Sequence, residues 1–205
     1  MLITEQEGKY MEYIKEVYAQ YDKERIRIYQ AYNQSIAEEA IRLQTFGNNF
    51  NVNRMTWIKP SFLWMMYRSN WGTKKNQEFI LALDIKRETF DRLISQAILT
   101  SPEAIGQSGA DWEKAFEDTA VYCQWDPDRN INGKAIQRAA IQIGLKGTAL
   151  REFLDNGIYR IIDMTPNVRK WNEQRKHGKL SIKDIPAERL YPIENKSTRN
   201  RLNMK

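Results

Sequence analysis

The spacing of apolar positions changes several times along this chain, and each change predicts an element. Tyr10, Met11, Ile14, Val17, Tyr18 and Tyr21 recur at helical spacing, which predicts an amphipathic N-terminal helix over residues 4–21. In Arg25–Tyr32 the period falls to two, with Ile26 and Ile28 on one face and Arg27 and Tyr29 on the other, so this stretch is a strand. Asn33 caps a following helix whose buried stripe is Ile36, Ala37, Ala40, Ile41 and Leu43, and Gly47 ends it. Residues 55–58 are a short strand, and Pro60 opens a helix reaching about Tyr67. Residues 79–85 form an almost unbroken apolar run, the pattern of a strand buried on both faces. A helix carrying Phe90, Leu93, Ile94, Ala97 and Ile98 follows, then a loop over 100–110 with Pro102, Gly106, Ser108 and Gly109. Strand patterns return at 119–125, closed by a turn at Asp126-Pro127-Asp128, and again at 139–145 and 158–162, with a helix over 149–154. The mixture predicts an α/β (α+β) fold of short strands with flanking helices.

Composition narrows this picture. A length of 205 residues suits one domain, read here as a globular unit over 1–192 with an N-terminal helix and a basic C-terminal tail over 193–205. Hydrophobic residues at 41% and charged residues at 28% are globular values rather than those of a disordered chain. The single cysteine, Cys123, excludes an internal disulfide, and the single histidine, His177, excludes a multi-histidine metal site, so no metal is expected. The longest apolar run, 62–67, is far short of the ~20 residues of a membrane span, and residues 1–7 do not read as a signal peptide. A cytoplasmic protein with no membrane partner is the expectation.

Charge is unevenly placed. Of the net +6, residues 169–205 carry +7, with 11 Lys/Arg against 4 Asp/Glu, so the body is close to neutral. Such an end either holds a nucleic acid by releasing counterions or is a solvated terminus. Between Glu39 and Glu78 there is no acid, yet six cations alternate with seven aromatic rings, Arg54, Lys59, Arg68, Trp57, Trp64 and Tyr67 among them. Cations neutralise phosphate and flat rings stack on bases, so a nucleotide or nucleic acid is the ligand class to test. A core with basic rims is the plainer alternative.

Phosphate-loop, dinucleotide and nucleophile-elbow motifs are absent. Cys123 alternates with Val121 and Trp125 and reads as a buried structural thiol, and His177 as a helix-end contact. Gln124, Trp125, Asp126 and Arg129 crowd one predicted turn, a candidate substrate contact or simply a capped turn. Arg27 and Tyr29 share a strand face, with Gln30 and Tyr32 close by, and an arginine so placed must be solvated or paired, for which a phosphate would serve. Lys59 and Ser61 stand where a strand turns into a helix, a natural anion site, and Trp64 and Arg68 lie one turn apart beyond them.

The blocks IRIYQAYN, RMTWIKPSFLWMMYRSNWG, QWDPDR and IQIGL resemble domain-of-unknown-function family 4291, from about Arg25 to Tyr191. More distantly, the order of elements is similar to the ADP-ribosyltransferase fold, in which a first strand carries Arg or His and a late strand carries Glu. That resemblance implies NAD as cofactor, bound in a cleft between two small sheets, with a nucleic-acid or protein acceptor. It places Arg27, Tyr29, Gln30, Tyr32, Lys59, Ser61, Trp64, Tyr67 and Arg68 around the nucleotide. Arg27 and Lys59 would hold phosphate, and Trp64 or Tyr67 would stack on a ring. Gln142 falls at the late-strand position, so Gln142 and Arg27 are the implied catalytic pair. A glutamine there lacks the negative charge that favours an oxocarbenium-like ribose. A non-enzymatic nucleic-acid-binding protein is the alternative, and salt separates the two.

Overall fold

The structure is a computed structural model that describes residues 13–101 and 109–204. It is a single mixed α+β domain, with seven α-helices among the described residues. The chain opens with β1 (Ile14–Lys15) and β2 (Tyr18–Ala19), then β3 (Arg25–Tyr32), α1 (Gln34–Leu43), β4 (Thr56–Ile58), α2 (Phe62–Ser69), β5 (Phe79–Lys86) and α3 (Arg87–Gln96). It continues through β6 (Ile98–Leu99), α4 (Gly109–Asp118), β7 (Val121–Arg129), β8 (Ala135–Leu145), α5 (Gly147–Glu152) and β9 (Ile158–Asp163). The last elements are α6 (Thr165–Lys176), β10 (Arg189–Leu190) and α7 (Lys196–Arg201). No helix among the described residues is long and apolar enough to cross a membrane.

Two sheets form the frame. β3, β5 and β9 make an antiparallel sheet with β5 central. In the second sheet β8 pairs β7 on one side, while β1 and β4 share its other side and β6 extends β7. The larger core packs Ile26 and Ile28 of β3 and Leu81, Leu83 and Ile85 of β5 together with Val121, Cys123, Ile141, Ile143 and Leu145 of the second sheet. The opposite face of the β3–β5 pair, Tyr29, Ile80 and Ala82, is covered by Phe62, Met65 and Met66 of α2 and by Val168 of α6. β5 is therefore buried on both faces, which is why its sequence shows no alternation.

Five expectations change. Of the expected helix over 4–21, residues 13–21 instead supply β1 and β2, the first pairing β8 at Ile14↔Arg138, and residues 4–12 lie outside the described residues. Ile, Val and Tyr suit strands as well as helices, and the side of β8 that faces away from β7 offers unpaired backbone. Asp126-Pro127-Asp128 is not a turn: β7 runs on to Arg129, with a register shift between Pro127 and Arg129 where the missing proline N–H is tolerated. The reversal comes later, at Asn130–Lys134, where Gly133 has φ +77°. Ala97 ends α3 and Ile98 belongs to β6, not to the helix. The basic terminus is docked: α7 ends on Leu202, which is fully buried, and the Trp125 indole donates to its carbonyl at 2.9 Å. Of the loop expected over 100–110, residues 102–108 lie outside the described residues, while α4 begins at Gly109.

Candidate functional site

The two sheets touch where the Tyr29 N–H donates to the Lys59 carbonyl at 2.7 Å. Beside this stitch lies an open pocket of about 480 Å³, inside the ~300–1,000 Å³ usual for small-ligand sites. Gln30, Ala31 and Tyr32 bring the end of β3 to it, and Arg54 through Trp57 bring the entry to β4. Lys59 follows β4, Met65 and Arg68 come from α2, and Asn76 and Gln77 precede β5. Gln124 and Gln142, partners across β7 and β8, close the remaining side.

Strand parity selects these side chains. On β8, Ile141, Ile143 and Leu145 fill the core, so Gln142 takes the other face. On β7 the same rule sends Val121 and Cys123 inward and sets Gln124 and Asp126 on the face of Gln142. Both glutamine amides then donate to the Asp126 carboxylate, Gln124 at 3.0 Å and Gln142 in a short contact. Gln30, almost fully buried, donates to the Thr56 hydroxyl at 3.0 Å and to the Trp57 carbonyl at 3.3 Å, while its own carbonyl oxygen has no partner among the described residues.

The charge in the pocket is cationic. Lys59 donates to the Trp57 carbonyl at 2.7 Å. Burial, and then repulsion from Arg68, lower its pKa to about 7, against an opposing pull from Asp126. Arg54 and Arg68 are exposed, and neither has a carboxylate within ion-pair distance among the described residues. Two unpaired guanidiniums beside a half-buried amine favour an anion, and the side-chain amides around them can read hydroxyl or base edges.

Of the residues singled out from the sequence, Gln30, Tyr32, Lys59, Arg68, Gln124 and Gln142 meet here, with Asp126 bound to the last two. Others do not. Arg27 forms a two-pronged pair with Asp84, at 2.7 and 3.0 Å, and lines a separate pocket of about 200 Å³ with Arg160. Its place on the strand face opposite Ile26 and Ile28 is as expected, but a carboxylate of β5 takes its charge. Tyr29 is fully buried with its ring against Phe62, and burial pushes its phenol pKa up. Trp64 is buried, so the pocket face of α2 is Met65 and Arg68 rather than Trp64 and Arg68. Tyr67 is exposed and stacks on Arg129 at 3.8 Å, away from the pocket lining, and Trp125 is tied to Leu202.

The helix start expected to hold an anion is already filled by carboxyl groups of the chain itself. Ser61 caps α2 and donates to Asp128 at 2.9 Å, and the Phe62 N–H donates to Glu188 at 2.5 Å. Arg138 closes this cluster with two donors to Asp128. Those carboxyl groups thus occupy the site, and Lys59 turns to the pocket instead. Arg54 and Trp57 were visible within the acid-free interval, whereas Asn76 and Gln77 carry no sequence signal and reach the pocket only through the turn before β5.

No curated protein matches the chain. Residues 16–191 match the family described as Domain of unknown function (DUF4291), a span that runs from β2 to β10 and includes every residue that lines the pocket. The chain belongs to that family.

Proposed function

We propose that this pocket binds a nucleotide of the NAD or ADP-ribose type, and that the protein is an ADP-ribosyltransferase-like enzyme. The observation that carries the reading is the meeting of unpaired Arg54 and Arg68 with Lys59 and the amides of Gln124 and Gln142 at the seam between two sheets. The cations would hold the diphosphate, Trp57 offers a ring, and the amides would address ribose hydroxyls. Gln142 is neutral, but it is bonded to Asp126, whose carboxylate supplies a negative charge beside the late-strand position. Such a charge favours the oxocarbenium-like ribose formed as nicotinamide departs. Asp126 and Gln142 then share the role that a glutamate has in the resembling fold.

The test is calorimetry with NAD and ADP-ribose, with a nicotinamide-release assay alongside. Arg68→Ala is expected to weaken binding about ten- to a hundredfold, as when a charge-assisted contact worth ~1.5–3 kcal/mol is lost. Asp126→Asn is expected to slow nicotinamide release more than it weakens binding. Absence of binding by either nucleotide would remove this reading. The alternative, a nucleic-acid-binding protein, draws on the +7 carried by residues 169–205. It requires an affinity for single-stranded nucleic acid that collapses between low and moderate salt.

A further inference from the structure

Lys59 is set up for more than holding an anion. Lys59 lines the pocket, and among the described residues its amine has one hydrogen bond, to the Trp57 carbonyl, an acceptor that leaves the charge uncompensated. No carboxylate pairs with it at ion-pair distance among the described residues, because Asp126 is bound by Gln124 and Gln142. Arg68 and Arg54 border the same pocket. A lysine that is desolvated and set beside another cation is the usual arrangement of an amine nucleophile toward carbonyl compounds.

We propose that Lys59 is a nucleophilic amine that forms an imine with the aldehyde of a phosphorylated sugar, of which ADP-ribose in its open-chain form is one. This rests on the pocket being an anion site, as in the reading above. The arginines would hold the phosphate and bring the sugar carbonyl to the amine. The neutral Nζ attacks the carbonyl carbon, the C=O π pair moves to oxygen, and the oxygen takes up the proton that nitrogen loses. The carbinolamine then expels water, so one amine and one aldehyde give one imine and one water, with no change in oxidation state. A pKa of about 7 supplies the neutral amine at physiological pH. At pH 7.5 roughly three-quarters of such an amine is neutral, against about a thousandth of an ordinary lysine.

The experiment treats the full chain at pH 7.5 with pyridoxal 5′-phosphate, an aldehyde carrying a phosphate, reduces the adduct with borohydride and maps it by peptide mass. Lys59 is expected to be labelled at least about tenfold faster than any other lysine, and ADP-ribose is expected to protect it. Lys59→Met should lose the fast phase. Arg68→Ala, which keeps the amine, should slow labelling by the phosphate reagent more than labelling by uncharged pyridoxal. ADP-ribose with cyanoborohydride should itself leave an adduct on Lys59. Labelling spread evenly over surface lysines would overturn the proposal. If ADP-ribose binds by calorimetry yet leaves no adduct at Lys59, the imine is wrong and the nucleotide pocket stands. Fast phosphate-dependent labelling without nucleotide binding would keep Lys59 and discard the nucleotide.

Discussion

Single side chains here are decided by their partners. Burial alone would push the pKa of Asp84 up, but bonds from Arg27 and Arg160 outweigh it and hold the carboxyl below its ordinary value. Arg27→Ala would leave a nearly buried carboxylate with one partner, the half-exposed Arg160. That loss should cost about 1–3 kcal/mol of stability while nucleotide affinity stays within about twofold of wild type. Unfolding in denaturant and calorimetry on one preparation check both halves; a large loss of affinity would put Arg27 back in the site. Lys59 gives the opposite case. Burial and then Arg68 from α2 oppose its charge, and Asp126 from β7 favours it, leaving a pKa of about 7. A bound phosphate favours the charged form, so binding should take up a proton and weaken as pH rises from 7 toward 9. The binding enthalpy should then vary with buffer ionisation heat at pH 8, and a zero slope would sink the idea.

Elements are held in place by polar contacts as much as by apolar ones. The segment before β10 docks on α2 through Glu188, whose pKa burial raises to about 8, with Asp128 adding repulsion against the pull of the Phe62 N–H and Arg138. Because the folded pKa lies above the unfolded value of 4.5, this group's contribution to stability is complete below about pH 4.5 and is lost as pH rises through 8. Glu188→Gln, neutral throughout, should flatten the stability curve over that window and exceed wild type at pH 8 in scanning calorimetry. An unchanged slope would show that the carboxyl is not held neutral. At the other end of the chain, α7 leaves Lys196 exposed but anchors Leu202 in the larger core. Leu202→Ala should cost ~2–5 kcal/mol, lowering the melting temperature by about 5–15 °C for a chain of this size. A shift under 2 °C would mean that the terminus behaves as a free tail after all.

At the scale of the whole molecule, the pocket is a product of the seam. No single stretch contains it: β3, the entry to β4, α2 and the β7–β8 pair each supply one wall. Packing the two sheets over one core brings the end of β3, with Gln30 and Tyr32, beside the outer face of β7 and β8, where Gln124 and Gln142 sit within their strands. A site at such a junction is enclosed on several sides without burying unpaired backbone. The basic terminus, folded onto α3 through Arg201 donating to the Ala97 carbonyl at 3.0 Å, belongs to the body and not to a separate arm.

The sequence by itself determined whatever depends on near neighbours. Period-two alternation located β3, the Asn33 cap located α1, and the apolar run located β5, because each reflects local geometry and one buried face. It also marked Lys59, Arg68, Gln124 and Gln142 as residues to watch. The tertiary structure alone decided which of two plausible partners each segment took. Residues 13–21 satisfy helical spacing, yet they pair as strands because β8 and β10 present unpaired backbone to β1 and β2. Pro127 signals a turn, yet it rides a register shift because Asp128 is bound by Ser61 and Arg138. Arg27 is poised for a phosphate, yet Asp84 lies directly across from it on β5. A charge or a strand edge states its need locally, and the group that meets the need comes from a distant part of the chain.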